Sequence, residues 1–83
     1  MLVTVNKKDF LTLIDGIISC DAGVSIMAGN GTLLISSFTH RVSCKMAAYV
    51  VQPGQRYVEA KEWARIVSGI KSDNKSMFDI RLK

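Results

Sequence analysis

The chain has 83 residues, of which 48% are apolar and 7% aromatic, and it carries a formal net charge of +4. These totals describe one small globular domain, residues 1–83, with an aliphatic core; they exclude a disordered composition, and no apolar run reaches the length that spans a bilayer. The charge permits an anionic partner without demanding one. The start Met1-Leu2-Val3-Thr4-Val5 has no charged segment followed by a long apolar one, so no signal peptide is expected and a cytoplasmic location is the default.

Leu2 to Val5 is rich in β-branched residues and reads as a strand. Asn6 then offers a helix N-cap with Asp9 three residues later, and a helix is expected from about Lys7 to about Ser19. Phe10, Leu13, Ile14 and Ile17 form one apolar stripe at i, i+3, i+4 and i+7, leaving Lys8, Thr12, Asp15 and Ser19 on the other side. Cys20 to Gly23 reads as a turn and Val24 to Ala28 as a strand. Gly29-Asn30-Gly31 is a hairpin signal because Gly and Asn tolerate positive φ.

Thr32 to Ser36 is the returning strand. Arg41 to Val51 reads as one longer strand, with Val42, Cys44, Met46, Ala48 and Val50 alternating against Ser43, Lys45, Ala47 and Tyr49. Pro53-Gly54 breaks the sheet, and Arg56 to Val58 is the next strand. A second helix runs from Ala60 to about Ile70, with Trp63, Ile66, Val67 and Ile70 on its stripe and Lys61, Arg65 and Ser68 facing away. A polar loop over 72–76 leads to a last strand, Met77 to Leu82, in which Met77, Asp79 and Arg81 alternate with Phe78, Ile80 and Leu82.

The fold class is α+β, and the chain repeats itself. Val5, Lys8, Asp9, Phe10, Leu13, Ile14, Gly16 and Ile17 recur as Val58, Lys61, Glu62, Trp63, Ile66, Val67, Gly69 and Ile70, at a shift of 58 minus 5, or 53. The pseudo-repeats cover about 1–52 and 53–83, and each opens as strand, helix, strand, which implies a shared core with approximate two-fold symmetry. In that register Val24 to Met27 lies opposite Met77 to Ile80. The first unit continues into two more strands; the second has no residues for them, so a sheet edge is expected to lie open.

Catalytic and metal chemistry find no support. Cys20 and Cys44 are the only thiols and read as buried reduced residues, and His40 is the only histidine, so neither a zinc site nor a nucleophile with its base can be assembled. Gly29-Asn30-Gly31 lacks the Lys-Ser/Thr ending of a phosphate loop and leads into a strand. Phe10 and Trp63 could stack on bases, but both lie on apolar stripes and read as core. No enzyme activity and no cofactor are expected.

Two passages carry a family likeness. Gly31-Thr32-Leu33-Leu34-Ile35-Ser36-Ser37-Phe38-Thr39-His40-Arg41-Val42, and Val58-Glu59-Ala60-Lys61-Glu62-Trp63 with its helix, together with Val3-Thr4-Val5 leading into Phe10-Leu11, resemble one domain of the DNA polymerase sliding clamps, the bacterial β clamp type above all. Thr39 and Arg41 stand where that clamp commonly has acids, Glu59 replaces its usual proline, and the last two strands of a complete clamp domain are absent. The resemblance implies a clamp-like domain whose two helices meet duplex DNA phosphates through their polar faces. On this chain those faces carry Lys7, Lys8, Thr12, Lys61, Arg65 and Ser68, with Lys71 and Lys75 just beyond. Such contacts are independent of sequence and weakened by salt.

The expected function is a replication accessory that self-associates and tethers a polymerase or another DNA enzyme. The open edge and the long strand supply the expected oligomer contacts: Arg41, Ser43, Lys45 and Tyr49 on one side, Met77, Phe78, Ile80 and Leu82 on the other. A second reading is a regulatory module, viral or from a mobile element, that binds a host clamp, clamp loader or polymerase by strand addition. A third is a small DNA-binding protein with no clamp role.

Overall fold

The computed structural model describes residues 1–18, 23–37 and 41–82, with the side chains of 15–18 excepted. The expectations for Asp15, Ile17, Ser19, the turn at Cys20, Phe38, Thr39 and His40 lie outside the described residues. Nine elements follow in order: β1 (Leu2–Asn6), α1 (Lys7–Ile18), β2 (Val24–Gly29), β3 (Thr32–Ser37), β4 (Val42–Ala47), β5 (Tyr49–Gln52), β6 (Gly54–Val58), α2 (Ala60–Ser72) and β7 (Met77–Arg81). Two helices pack against two antiparallel sheets, one ordered β5-β1-β7 and the other β4-β3-β2-β6.

Local chemistry explains most of the boundaries. The Asn6 side chain accepts the backbone N–H of Asp9 at 3.1 Å, so α1 starts where a capping residue can satisfy one of its orphan donors. Asn30 and Gly31 adopt φ of 52° and 71°, the left-handed pair that a two-residue hairpin between β2 and β3 requires. Glu62 sits in the first turn of α2 and Lys71 in the last, each matching the sign of the helix dipole.

The core is one cluster drawn from every layer. Val3 and Val5 of β1, Val24, Ile26 and Ala28 of β2, Leu33 and Ile35 of β3, and Ile80 of β7 meet Phe10, Ile14, Trp63, Val67 and Ile70 of the helices. Phe10 and Trp63 hold corresponding positions in the two helices and meet each other, ring centroids 6.0 Å apart and tilted by 60°. This tilted geometry, which is not a face-to-face stack, suits two aromatic quadrupoles. Leu13, expected on the buried stripe, is 38% exposed at its margin.

The two strand-helix-strand units engage each other reciprocally. β1 pairs with β7, and β6 pairs with β2, so the strand before each helix is paired with the strand after the other helix. Burial corrects the expected register of the last strand. Val24, Ile26 and Ala28 point inward in β2, and their inward counterparts near the end of the chain are Phe78, Ile80 and Leu82, a shift of 78 minus 24, or 54. One extra residue between α2 and β7 moves the strand by one place, which in a period-two element exchanges its faces.

The expected single strand over 41–51 is two strands in different sheets. β4 is an edge of the four-stranded sheet, and β5 pairs with β1 in the other, with the switch at Ala48, whose N–H is taken by the Gly31 carbonyl at 2.9 Å. Arg41 precedes β4 in a left-handed turn with φ 52°. Against β1 the pairing runs Leu2 with Gln52 and then Val3 with Val50, so Val51 is bulged out and stands 67% exposed. Pro53 alone makes the next corner; Gly54, expected to break the sheet, is already in β6.

Candidate nucleic-acid interface

The cationic residues of the helices divide into a solvated set and a committed one. On α1, Lys8 and Thr12 are exposed one turn apart, and the Thr12 hydroxyl donates to the Lys8 carbonyl at 2.8 Å. On α2, Lys61, Arg65 and Ser68 are exposed at i, i+4 and i+7, on the side away from Trp63, Val67 and Ile70. Lys71 closes that helix and Lys75 follows it, both exposed. Asp9 is exposed beside Lys8 and Glu62 is half-buried beside Lys61, so each stripe carries a carboxylate at its start.

Lys7 is different. Its ammonium donates to the carbonyl oxygens of Lys71, at 3.3 Å, and of Asp73, which are the unsatisfied acceptors at the end of α2. The same Nζ lies 6.0 Å from the centre of the Phe78 ring. A cation at a helix C-terminus is favourable because it meets the negative end of the dipole. Lys7 therefore ties the start of α1 to the end of α2 and is not a free phosphate ligand. Lys7→Met, which keeps the stem and removes the charge, is expected to lower stability by about 1–2 kcal/mol in urea unfolding. A phosphate contact alone would leave stability unchanged.

The fold does bring part of the named set together. Lys7, Lys8 and Lys75 border one hollow of about 520 Å³, where the start of α1 meets the loop after α2. Asn6, Asp9 and Asn74 share its wall, so it is mixed in charge. Arg65 instead borders a second hollow of about 360 Å³ between α2 and β7, together with Arg81, Asp79, Ile66, Ile70 and Ile80. Arg81 was not among the expected cations, although its alternation with Phe78 and Ile80 puts it on the outer face of the last strand.

No protein-family model matches this chain. A search of curated proteins finds no relative either. The functional reading therefore rests on the residues themselves.

The expected contact residues on the sheets are placed unequally. Ser43, Lys45 and Tyr49 are exposed, Tyr49 by 74%, as is Met77 by 40%. Ile80 and Leu82 are 3% and 5% exposed and belong to the core, so their side chains are closed to a partner. Leu82 is occupied along its backbone too: its N–H donates to the Met1 carbonyl at 2.9 Å, and its own carbonyl accepts from the Met1 amino group at 2.7 Å. Phe78 is half-buried. Cys44, expected to be buried, is only partly so; its thiol donates to the Leu13 carbonyl at 2.8 Å and is a free cysteine.

Proposed function

We propose that this chain is a non-enzymatic, sliding-clamp-like accessory of DNA replication, which self-associates, meets duplex DNA without sequence preference through its helix faces, and tethers a polymerase or another DNA enzyme. The observation that supports this reading is the reciprocal pairing of β1 with β7 and β6 with β2, which joins two strand-helix-strand units through one core while the polar faces of both helices stay solvated. Lys8, Thr12, Lys61, Arg65, Ser68, Lys71 and Lys75 are the contacts; Lys7 acts indirectly, by holding the two helices together.

Fluorescence anisotropy with a random-sequence duplex over a salt series tests it. Five cations neutralising one phosphate each give a slope of log K against log salt of roughly −4.5, since each contributes about −0.9. Lys61→Ala with Arg65→Ala is expected to reduce that slope by about 2 with no change in thermal stability. A duplex affinity unaffected by this pair would remove the helix faces from the interface.

The open sheet edges favour a second reading, an interaction module that captures a replication protein by strand addition. Tight one-to-one capture of a clamp, clamp loader or polymerase by a chain that ignores DNA would select it.

A further inference from the structure

Among the described residues each sheet ends in two strands that pair on one side only: β4 and β6 in the four-stranded sheet, β5 and β7 in the three-stranded one. An open edge is a template for another strand, and charges on it decide which strand is admitted. Among these four edge strands the only carboxylate is Asp79 of β7, and the cations on the other three are Lys45 of β4 and Arg56 of β6. Arg56 stands opposite buried Ile26, on the inner face, whereas Asp79 is on the outer face beside Thr4. Lys45 is the only cation on another edge that shares Asp79's face, being opposite Leu34 and flanked by exposed Ser43 and Ala47.

Neither charge is in an ion pair among the described residues. Lys45 has no acid partner among the described residues, and Asp79 accepts only the Thr4 hydroxyl, at 2.6 Å, which orients its carboxylate and leaves lone pairs free. We infer that β4 of one copy pairs antiparallel with β7 of a second copy, Lys45 facing Asp79. Both strands keep their outer faces aligned only if the register moves in steps of two. The register with Lys45 opposite Asp79 sets Ser43 against Arg81 and Ala47 against Met77 outside, and Cys44 against Ile80 and Met46 against Phe78 inside. Two places one way, Lys45 meets Arg81; two places the other way, Lys45 meets Met77 and Asp79 meets Ser43, so neither charge finds its opposite. Like charges directly opposite are unfavourable and opposite charges favourable, so the register with Lys45 opposite Asp79 is preferred over both. Antiparallel direction matches every pairing within the chain.

The inference rests on the self-association in the proposed function and gives it a partner and a register. Because β4 and β7 are different surfaces the contact is head to tail, and copies add until a ring closes or a chain grows. Sedimentation velocity without DNA tests it, over concentrations up to about 1 mM. The wild-type chain is expected to form species that grow with concentration. Lys45→Asp and Asp79→Lys, each checked for unchanged circular dichroism, are each expected to weaken association roughly tenfold or more. Mixing the two variants restores it, because the aspartate introduced into β4 of one then faces the lysine introduced into β7 of the other.

A wild-type chain that stays monomeric overturns the inference, as does association that either variant leaves intact or that mixing fails to restore. Intact variants in a chain that still self-associates and binds DNA would end this register alone and leave the proposed function standing.

Discussion

Trp63→Ala is expected to remove a large share of this chain's stability. Trp63 is 2% exposed and is the largest side chain in the core, resting against Phe10 where α1 and α2 meet. Truncating a buried Trp costs about 3–5 kcal/mol through lost transfer energy and the cavity left behind. A chain of 83 residues has a total stability on the order of 4–12 kcal/mol, so the loss is a large share of it. The indole carries a second lesson: its Nε1 is buried and has no hydrogen-bond acceptor among the described residues. An unpaired buried donor costs about 1–3 kcal/mol. Trp63→Phe removes that donor and keeps most of the ring, so its stability is expected to fall within about 1 kcal/mol of the parent. Urea unfolding of the two variants followed by far-ultraviolet circular dichroism separates them; a loss of more than about 2 kcal/mol in Trp63→Phe would show that the missing ring volume decides and the orphan donor does not.

Gly23→Ala is the second large effect. Gly23 is buried just before β2, and a methyl group there would overlap the carbonyl oxygen of Val58 and the hydroxyl of Tyr57. The tyrosine can swing away. The carbonyl cannot, because Val58 is the residue of β6 paired with Val24, and moving it opens the edge of the four-stranded sheet. We expect a loss of about 3 kcal/mol, at the upper end of overpacking in cores. Gly29→Ala is the control, since nothing lies within 4 Å of a methyl group at that position. Urea midpoints measure both; a mild Gly23→Ala would mean that β6 shifts freely against β2.

The helices were legible in the sequence because their signal is local. The spacing of Phe10 and Ile14, and of Trp63, Val67 and Ile70, predicts the buried faces that the core displays. Asn6 as a cap and Asn30-Gly31 as a hairpin were legible for the same reason. The switch at Ala48 was not, because the alternation of Cys44, Met46, Ala48 and Val50 runs unbroken through it, and a pattern of period two does not say which sheet a residue belongs to. Nor could spacing reveal Lys7 as a cap of α2, since its acceptors lie 64 and 66 residues away in the chain. The solvated cations Lys8, Lys61 and Arg65 were legible from the stripes they oppose. The outward pairing of Asp79 with Thr4 depends on which strand β7 joins, and that is a property of the fold.

The order of strands in the smaller sheet also governs how this chain reaches its structure. β1 is the central strand, and β7, which follows it 75 residues later in the chain, is one of its two partners, joined through pairs such as Val3 with Ile80 and Thr4 with Asp79. During synthesis β1 therefore waits with one side unpaired until β7 has emerged. Loop closure over such a separation is entropically costly, and contacts so distant in sequence slow the folding of small domains. The first half has no complete core of its own, for Trp63, Val67 and Ile70 arrive late. Until then Phe10 and the Val3 face of β1 remain open to other chains, and aggregation competes with folding during that interval.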